Sequence, residues 1–261
     1  MKLICLNIQG GTLHEPLLKF VERHSADTDV FCFQEVFDTT IPAPPPIARG
    51  ARATIYRDIM RILVDFEGRF MPTMEGWDYD KPVSFPLWQG SAIFVRKTIP
   101  VTAAGAEAIL KGYNAAGQSI WSTMPRILQY ADIASPNGPL TVAHLHGLLD
   151  NGKKWDTPAR TAQFEAVRDF LAAISHAKVF CGDLNVRPGT EGIRIFEQTG
   201  MRNLIKEFGV TLTRNHHYPG VALYNDTVSD YLFVSPEIRV KTFEVLPDVV
   251  SDHLALAVEF E

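Results

Sequence analysis

Side chains suited to hydrolytic chemistry recur at the ends of short apolar segments along this 261-residue chain. They are Asn7, Glu35, His144, Asp183, Asn185, Asp230, Asp252 and His253. Carboxylate and amide groups are poor strand formers and are costly to bury without a partner. One such residue is ordinarily a strand cap or a turn residue. Placements at six strand ends, spread over the whole chain, instead predict that these ends converge on one polar cluster.

A cluster of this composition favours a hard cation. Mg²⁺ prefers oxygen ligands and keeps several of its waters, so one or two carboxylates are sufficient, and we expect Mn²⁺ to substitute. Zn²⁺ stays open because imidazoles are present, although the sequence has no His-x₃-His or Cys-x₂-Cys spacing. A phosphate among so many carboxylates needs a metal and a cationic imidazole to offset repulsion. That combination suits attack by water on phosphorus.

Five motifs carry a family resemblance. They are Leu6-Asn7-Ile8, Phe33-Gln34-Glu35-Val36, Gly182-Asp183-Leu184-Asn185, Ser229-Asp230-Tyr231 and Ser251-Asp252-His253. In this order they resemble the endonuclease/exonuclease/phosphatase superfamily, which includes deoxyribonuclease I-like nucleases, sphingomyelinases and inositol polyphosphate 5-phosphatases. The match runs from residue 7 to residue 253, and the Gly-Asp-Leu-Asn segment is its most specific part.

The resemblance implies a role for each matching position. Glu35 would be the principal Mg²⁺ ligand, with Asn7 beside it and Asp252 completing or water-bridging the metal site. Asp183 would orient or deprotonate the attacking water, and Asn185 would help to hold that water or the phosphate.

Two histidines also match the family pattern. His253 would contact the scissile phosphate, and a hydrogen bond to Asp230 would keep its imidazole cationic, since a neighbouring carboxylate favours imidazolium. His144 matches the family's other active-site histidine, which implies protonation of the leaving group. His146 has no counterpart in the motif, so a phosphate contact and ordinary structural polarity both stay open.

Four further residues are candidates for substrate contact. Trp77, Tyr79 and Trp121 lie among Gly, Asp, Asn and Ser residues, which favours substrate-facing rings, although core packing is the alternative. Arg126 follows Pro125 directly before a strand and is a candidate phosphate contact.

The elements that must position these residues are mostly strands. Apolar runs predict strands at 3–8, 30–36, 91–96, 127–134, 140–145, 178–181, 231–235 and 254–260. Helical spacing is found near 17–24, 52–66, 157–174 and 192–198, while 41–50 and 68–89 are expected to be irregular loops. The pattern predicts an α/β fold, a four-layer αββα sandwich of two mixed β-sheets packed face to face and flanked by helices, in a single domain over residues 1–261.

The composition limits the kinds of molecule that the protein is expected to bind and its cellular compartment. The net charge of -5 and pI near 5.9 exclude a general positive coat for nucleic acid, although a local basic groove stays open. Three cysteines in apolar runs predict buried thiols without a disulfide. The short apolar start and the lack of a long apolar run predict no signal peptide and no transmembrane segment, hence a soluble, cytoplasmic protein.

Three functional hypotheses follow. The first is a Mg²⁺-dependent phosphodiesterase or nuclease acting on nucleic acid or a nucleotide-like substrate. The second is a phosphomonoesterase, or a sphingomyelinase-like or inositol-phosphatase-like enzyme, on a small or lipid phosphoester. The third is a catalytically inactive binding module. The sequence indicates no oligomeric state.

Overall fold

The computed structural model describes residues 1–112, 120–150, 154–225 and 227–261. Its strands are β1 (Lys2–Asn7), β2 (Val30–Asp38), β3 (Phe66–Glu75), β4 (Trp88–Arg96), β5 (Val101–Leu110), β6 (Arg126–Ser135), β7 (Gly138–Leu145), β8 (Ala177–Asp183), β9 (Arg202–Asn203), β10 (Asp230–Val234), β11 (Val240–Val245) and β12 (Leu256–Phe260). Its helices are α1 (His14–Ser25), α2 (Ile55–Ile62), α3 (Ile120–Thr123), α4 (Pro158–Ala172), α5 (Glu191–Gln198), α6 (Leu204–Glu207) and α7 (Pro219–Tyr224).

The strands form two six-stranded sheets of matching design. The first has the order β11-β12-β1-β2-β4-β3 and the second β5-β6-β7-β8-β10-β9. At the centre of each sheet lies a parallel pair, β1 with β2 and β7 with β8, while the other neighbours are antiparallel. Polar residues that follow these four central strands therefore meet at one edge of the sandwich.

Alternating side chains of the central strands build two cores. In β1, Leu3 and Cys5 face the core between the sheets, whereas Ile4 and Leu6 face the outer core with α1 and α2. A strand buried on both faces reads as a continuous apolar run, which is how β1 appears in the sequence. Helices α4 and α5 add Phe164 and other apolar side chains to the core of the second sheet. The predicted αββα sandwich is confirmed.

The loop predicted at 68–89 is wrong over its first part. Strand β3 runs to Glu75, and its pairing with β4 shifts register between Pro72 and Met74. Proline cannot donate to a ladder, so it is tolerated here because β3 lies at the edge of its sheet. The glycine and proline residues that suggested an irregular loop are accommodated by this edge position.

Two predictions from composition have a structural counterpart. The three cysteines are buried and none forms a disulfide. Within the described ranges, no helix is long and apolar enough to cross a membrane. The single-domain assignment over residues 1–261 stays a prediction.

Candidate active site

A cavity of about 170 Å³ opens where the four central strands end. Both sheets contribute to its wall, together with the loops that precede α4 and follow α6. The lining residues are Gln9, Glu35, Arg49, Tyr79, Arg126, His146, Leu149, Lys154, Asp183, Asn185, Arg214, Tyr218, Asp252 and His253. Most of the residues expected from sequence are therefore brought together at one place.

Glu35 reaches this cavity through a β-bulge. The ladder between β2 and β4 shifts register between Gln34 and Val36, and Glu35 has a φ of 55°. An extra residue in one strand re-aims its side chain, and positive φ is strained for a non-glycine residue. The carboxylate is held by two donors: Asn7 Nδ2 lies 2.8 Å from Oε1, and the Tyr79 hydroxyl lies 2.5 Å from Oε2.

Asn7 supports the carboxylates of the site from behind, and its expected place beside the metal stays a prediction. Its side chain is fully buried, and its Oδ1 accepts a hydrogen bond from the backbone N–H of Gln9 at 3.0 Å. Because a backbone N–H can only donate, this bond fixes the orientation of the amide. Nδ2 therefore faces Glu35 Oε1 and Asp183 Oδ2, the latter at 3.2 Å.

Asp183, the last residue of β8, lies in a cationic environment. Its Oδ2 is 3.3 Å from Arg214 Nη2 and 3.5 Å from His253 Nε2, and its Oδ1 accepts from the Asn185 backbone N–H at 2.9 Å. Burial opposes ionisation, but the nearby cations, chiefly His253 and Arg214, hold the pKa of Asp183 well below its ordinary value. The carboxylate therefore accepts hydrogen bonds at neutral pH and is a weak base.

His253 is fixed by Asp230, as the family resemblance implied. Its Nδ1 lies 2.8 Å and 2.9 Å from the two carboxylate oxygens of Asp230, which also accepts from Thr213 Oγ1 at 2.7 Å. Burial and Arg214 oppose protonation of His253. The surrounding carboxylates, of which Asp230 acts most strongly, outweigh both and raise the pKa of His253 above its ordinary value.

His144 does not reach the cavity, and its expected role with the leaving group is corrected. It is fully buried between the sheets, where Nδ1 accepts from Gln34 Nε2 and Nε2 donates to Gln129 Oε1, each at 2.9 Å. Burial lowers the pKa of His144 to about 3, so the ring is neutral. Its ring links the first sheet to the second through these two hydrogen bonds.

The buried His144 predicts a pH-dependent stability. Its unfolded-state pKa is near 6.5 and its folded-state pKa about 3, so only the unfolded chain binds this proton between those values. Stability therefore falls as pH drops through this window, with a slope of up to about 1.4 kcal/mol per pH unit. Urea unfolding from pH 7 to pH 5 should show a smaller stability loss, by roughly 2 kcal/mol, in His144→Gln than in wild type. Equal losses would contradict this assignment.

His146 occupies the position at the cavity that His144 was expected to fill. It lies just beyond β7, two residues and about 7 Å further along the chain. Its Nε2 is 3.6 Å from Glu35 Oε1 and 3.8 Å from Asp183 Oδ2. Burial lowers the pKa of His146 to about 4, and the adjacent carboxylates only partly compensate. The side chain left open in the sequence is thus part of the cavity wall.

The other candidates for substrate contact lie at different places in the structure. Tyr79 and Arg126 line the cavity. Trp77 instead pairs with Pro82 in the loop after β3 and is not among the lining residues. The side chain of Trp121 lies outside the described residues.

Two important cations were missed by sequence reasoning. Arg214 is buried, contacts Asp183 and Asp252, and places its guanidinium carbon 3.9 Å from the centre of the Tyr218 ring. Lys154 is buried as well, and its ammonium donates to Asn185 Oδ1. Both residues lie in loops without a motif, so only their position in the folded chain reveals them.

Comparison with known proteins agrees with this geometry. The model of the Endonuclease/Exonuclease/phosphatase family matches residues 4–253, nearly the whole chain. The chain belongs to this family. Its members hydrolyse phosphoesters, and the chain is an enzyme of this class. No curated protein matches the chain in sequence.

Solved structures share the family fold over the full length of this chain. The mannosyl-6-phosphatase of Bacteroides thetaiotaomicron is 17% identical with a TM-score of 0.71, covering 100% of this chain and 99% of that one. The human Nocturnin catalytic domain with bound sulfate is 17% identical with a TM-score of 0.67, covering 100% and 94%. Humanized D. rerio TDP2 is 15% identical with a TM-score of 0.63, covering 100% and 98%. At these identities the likeness shows the fold alone.

The donor set of this family member fits a divalent metal. Glu35 and Asp252 place carboxylates on the cavity wall, and hard oxygen donors of this kind suit Mg²⁺ or Mn²⁺. A second group, Asp183, Asp230 and His253, also has one potential ligand atom from each residue within 4.8 Å of the others. In this second group, Nδ1 of His253 is engaged by Asp230, and Asp183 lies beside the Arg214 guanidinium.

Removing the Tyr79 hydroxyl tests how Glu35 is held. Burial and Glu35 keep the pKa of Tyr79 well above its ordinary value, so the hydroxyl stays a donor. Tyr79→Phe should weaken metal binding by roughly 10- to 100-fold, as is typical for loss of a group that orients a ligand. Calorimetric Mn²⁺ titration measures this change. Tyr56→Phe, in a ring cluster on the outer face of the first sheet, is the control. A change below threefold would contradict the role.

Proposed function

We propose that the protein is a Mg²⁺-dependent hydrolase of small phosphoesters that uses water as the nucleophile. The observation that carries this proposal is the placement of Asp183, Glu35 and His253 around one small cavity. These residues supply a water-orienting carboxylate, a metal ligand and a cationic imidazole. The inactive-module hypothesis loses support, because the chain belongs to a family of phosphoester hydrolases and its cavity contains the residues expected for the reaction.

Asp183 is suited to hold the attacking water. Its ionised carboxylate accepts a hydrogen bond from water and aims the lone pair at phosphorus, while Asn185 lies beside it. Because its pKa is depressed, Asp183 orients the water more than it stores the proton. A bound Mg²⁺ would neutralise phosphate charge and acidify water at the site. As the new P–O bond forms, the bond to the alcohol breaks, and the leaving oxygen takes up the proton that the attacking water releases.

His253 and His146 are the two imidazoles placed to contact the phosphate ester. His253 presents Nε2 toward Asp183 with Asp230 behind it, so the cationic ring is positioned to contact a phosphate oxygen. His146 lies on the same wall, near Glu35, and is placed to hydrogen-bond the leaving oxygen. A neutral imidazole can donate a hydrogen bond to the leaving oxygen, and it has no net charge that would hold it against Glu35 and Asp183.

The charge of the chain favours a small substrate over a polymer. The cavity of about 170 Å³ has room for a phosphate group. The net charge of -5 gives no general attraction for nucleic acid. The nuclease hypothesis stays a prediction with less support than the second one.

A substrate panel tests the proposal. Purified protein is incubated with p-nitrophenyl phosphate, sugar phosphates, inositol phosphates, sphingomyelin, single-stranded DNA, double-stranded DNA and RNA, with Mg²⁺, Mn²⁺ or a chelator. We expect turnover of small phosphoesters that stops with the chelator. Cleavage of nucleic acid alone would overturn the small-substrate assignment, and no metal-dependent turnover of any substrate would overturn the function.

A further inference from the structure

The cavity wall carries permanent positive charges next to its carboxylates. Its cations are Arg49, Arg126, Lys154 and Arg214, and its carboxylates are Glu35, Asp183 and Asp252. His253 is balanced by Asp230 directly behind it. Arg49 is likewise balanced by Asp80, whose Oδ1 lies 2.6 Å from its guanidinium. The three remaining cations therefore face three carboxylates before any metal binds, and a bound divalent metal would leave two positive charges. A wall of this charge is matched by an anionic ligand with more than one negative charge.

Arg214 is a preorganised part of this wall. Its Nε donates to Ser229 Oγ at 2.8 Å, and its terminal nitrogens lie 3.4 Å from Asp252 and 3.3 Å from Asp183. These contacts use three of the five N–H groups of a guanidinium. The Tyr218 ring covers one face of the group, so its plane is fixed. The terminal nitrogens are thus held rigidly beside the proposed site of the attacking water.

Lys154 and Arg126 extend the positive wall from two other elements. Lys154 lies directly before α4 and donates to Asn185, two residues after Asp183. Arg126 begins β6, and its side chain is buried within the electrostatic reach of Asp183 and Glu35. Burial lowers the pKa of Arg126 to about 10 against the pull of those carboxylates. Its guanidinium is thus a buried positive charge on the cavity wall.

The two ester classes differ in what they offer to such a wall. A phosphate monoester at neutral pH has two negative charges and three terminal oxygens, whereas a diester has one charge and two terminal oxygens. In a diester, the second ester group would place an alkyl carbon against a cationic side chain, at a position where a monoester has a terminal oxygen. Burying a cation against carbon is unfavourable because its hydrogen bonds are lost.

We propose that Arg126, Lys154 and Arg214 form a cationic clamp that selects a terminal phosphate, as the monoester dianion, over an internal phosphodiester. This assignment rests on the proposed hydrolase function and specifies its substrate class. The three side chains come from β6, the loop before α4 and the loop before α7, and all three line the same cavity.

Two substrates with one leaving group test the clamp. Rates of p-nitrophenol release from p-nitrophenyl phosphate and from methyl p-nitrophenyl phosphate give kcat/KM for a monoester and a matched diester. Arg126→Gln and Lys154→Gln should each lower kcat/KM for the monoester by roughly 10- to 100-fold, the loss of one charge-assisted contact, and lower the diester value by a smaller factor. Arg126→Lys should recover part of the loss. Arg168→Gln, on the exposed face of α4, is the control.

The outcome separates the clamp from the hydrolase function. Equal loss on both esters, or a wild-type enzyme that prefers the diester, overturns the clamp and leaves the hydrolase intact. If neither ester is hydrolysed, calorimetry with inorganic phosphate and dimethyl phosphate decides. Tighter phosphate binding that weakens in Arg126→Gln and Lys154→Gln supports the clamp without the proposed activity, and equal binding of both anions overturns it. Melting temperatures confirm that each variant is folded.

Discussion

Glu35→Gln is expected to abolish metal-dependent turnover and to weaken Mg²⁺ or Mn²⁺ binding by roughly 100-fold or more, above the 10- to 100-fold typical of the surrounding groups. The substitution removes the charge of the carboxylate that the β-bulge aims into the cavity. Glutamine keeps the size of the side chain. Calorimetric Mn²⁺ titration and kcat at increasing metal concentration measure the two effects.

The matched control is Glu259→Gln, an exposed glutamate on β12 of the same sheet. It should leave both metal affinity and kcat unchanged. If Glu35→Gln binds metal as wild type does, Glu35 is not the principal ligand. High metal concentration should restore part of the turnover in Glu35→Gln, because the loss lies in binding.

Asp183→Asn is expected to lower kcat by about 10²- to 10⁴-fold, the range for removal of a group that acts on the proton of the nucleophile. An amide presents its NH₂ or a weaker acceptor to the water that the carboxylate orients. KM for a phosphoester should fall or stay constant, since a negative charge beside the phosphate is removed. A lower kcat without a higher KM distinguishes this loss from weakened substrate binding.

Asp169→Asn, an exposed change on α4, serves as the control for Asp183→Asn. Because Arg214 and His253 lose a buried partner, circular dichroism and a melting curve must accompany the kinetics. Retention of more than a tenth of the wild-type kcat would remove Asp183 from the catalytic step.

The central strands of the fold were predictable and the edge strands were not. Strands β1, β2, β4, β7 and β8 are apolar on both faces, so they stand out as continuous hydrophobic runs. Strands β3, β5 and β11 lie at sheet edges and were missed. An edge strand has one unpaired side and a half-exposed face, so charged, glycine and proline residues are tolerated. Val101–Leu110, with four alanines and a glycine, illustrates how weak such a pattern is.

The candidate site was predictable where a motif fixed both residue type and position. The cavity residues that the motifs identified are Glu35 in the bulge of β2, Asp183 and Asn185 at the end of β8, and Asp252 and His253 in the loop before β12. The sequence did not distinguish His144 from His146, because residues two apart in a strand lie on the same face. The two differ in their depth within the sandwich. The orientation of the Asn7 amide depends on a backbone donor that the sequence does not reveal.

The division of the site between the two sheets makes activity a measure of how the halves of the molecule assemble. Glu35 and Asp252 belong to the first sheet, while Asp183, Asn185 and Arg126 belong to the second. A refolding intermediate with only one sheet formed would possess metal ligands without the water-orienting group, or the reverse. We therefore expect turnover after dilution from denaturant to return only when the two sheets have docked. Substitutions deep between the sheets can silence the enzyme through assembly, without touching any residue of the cavity.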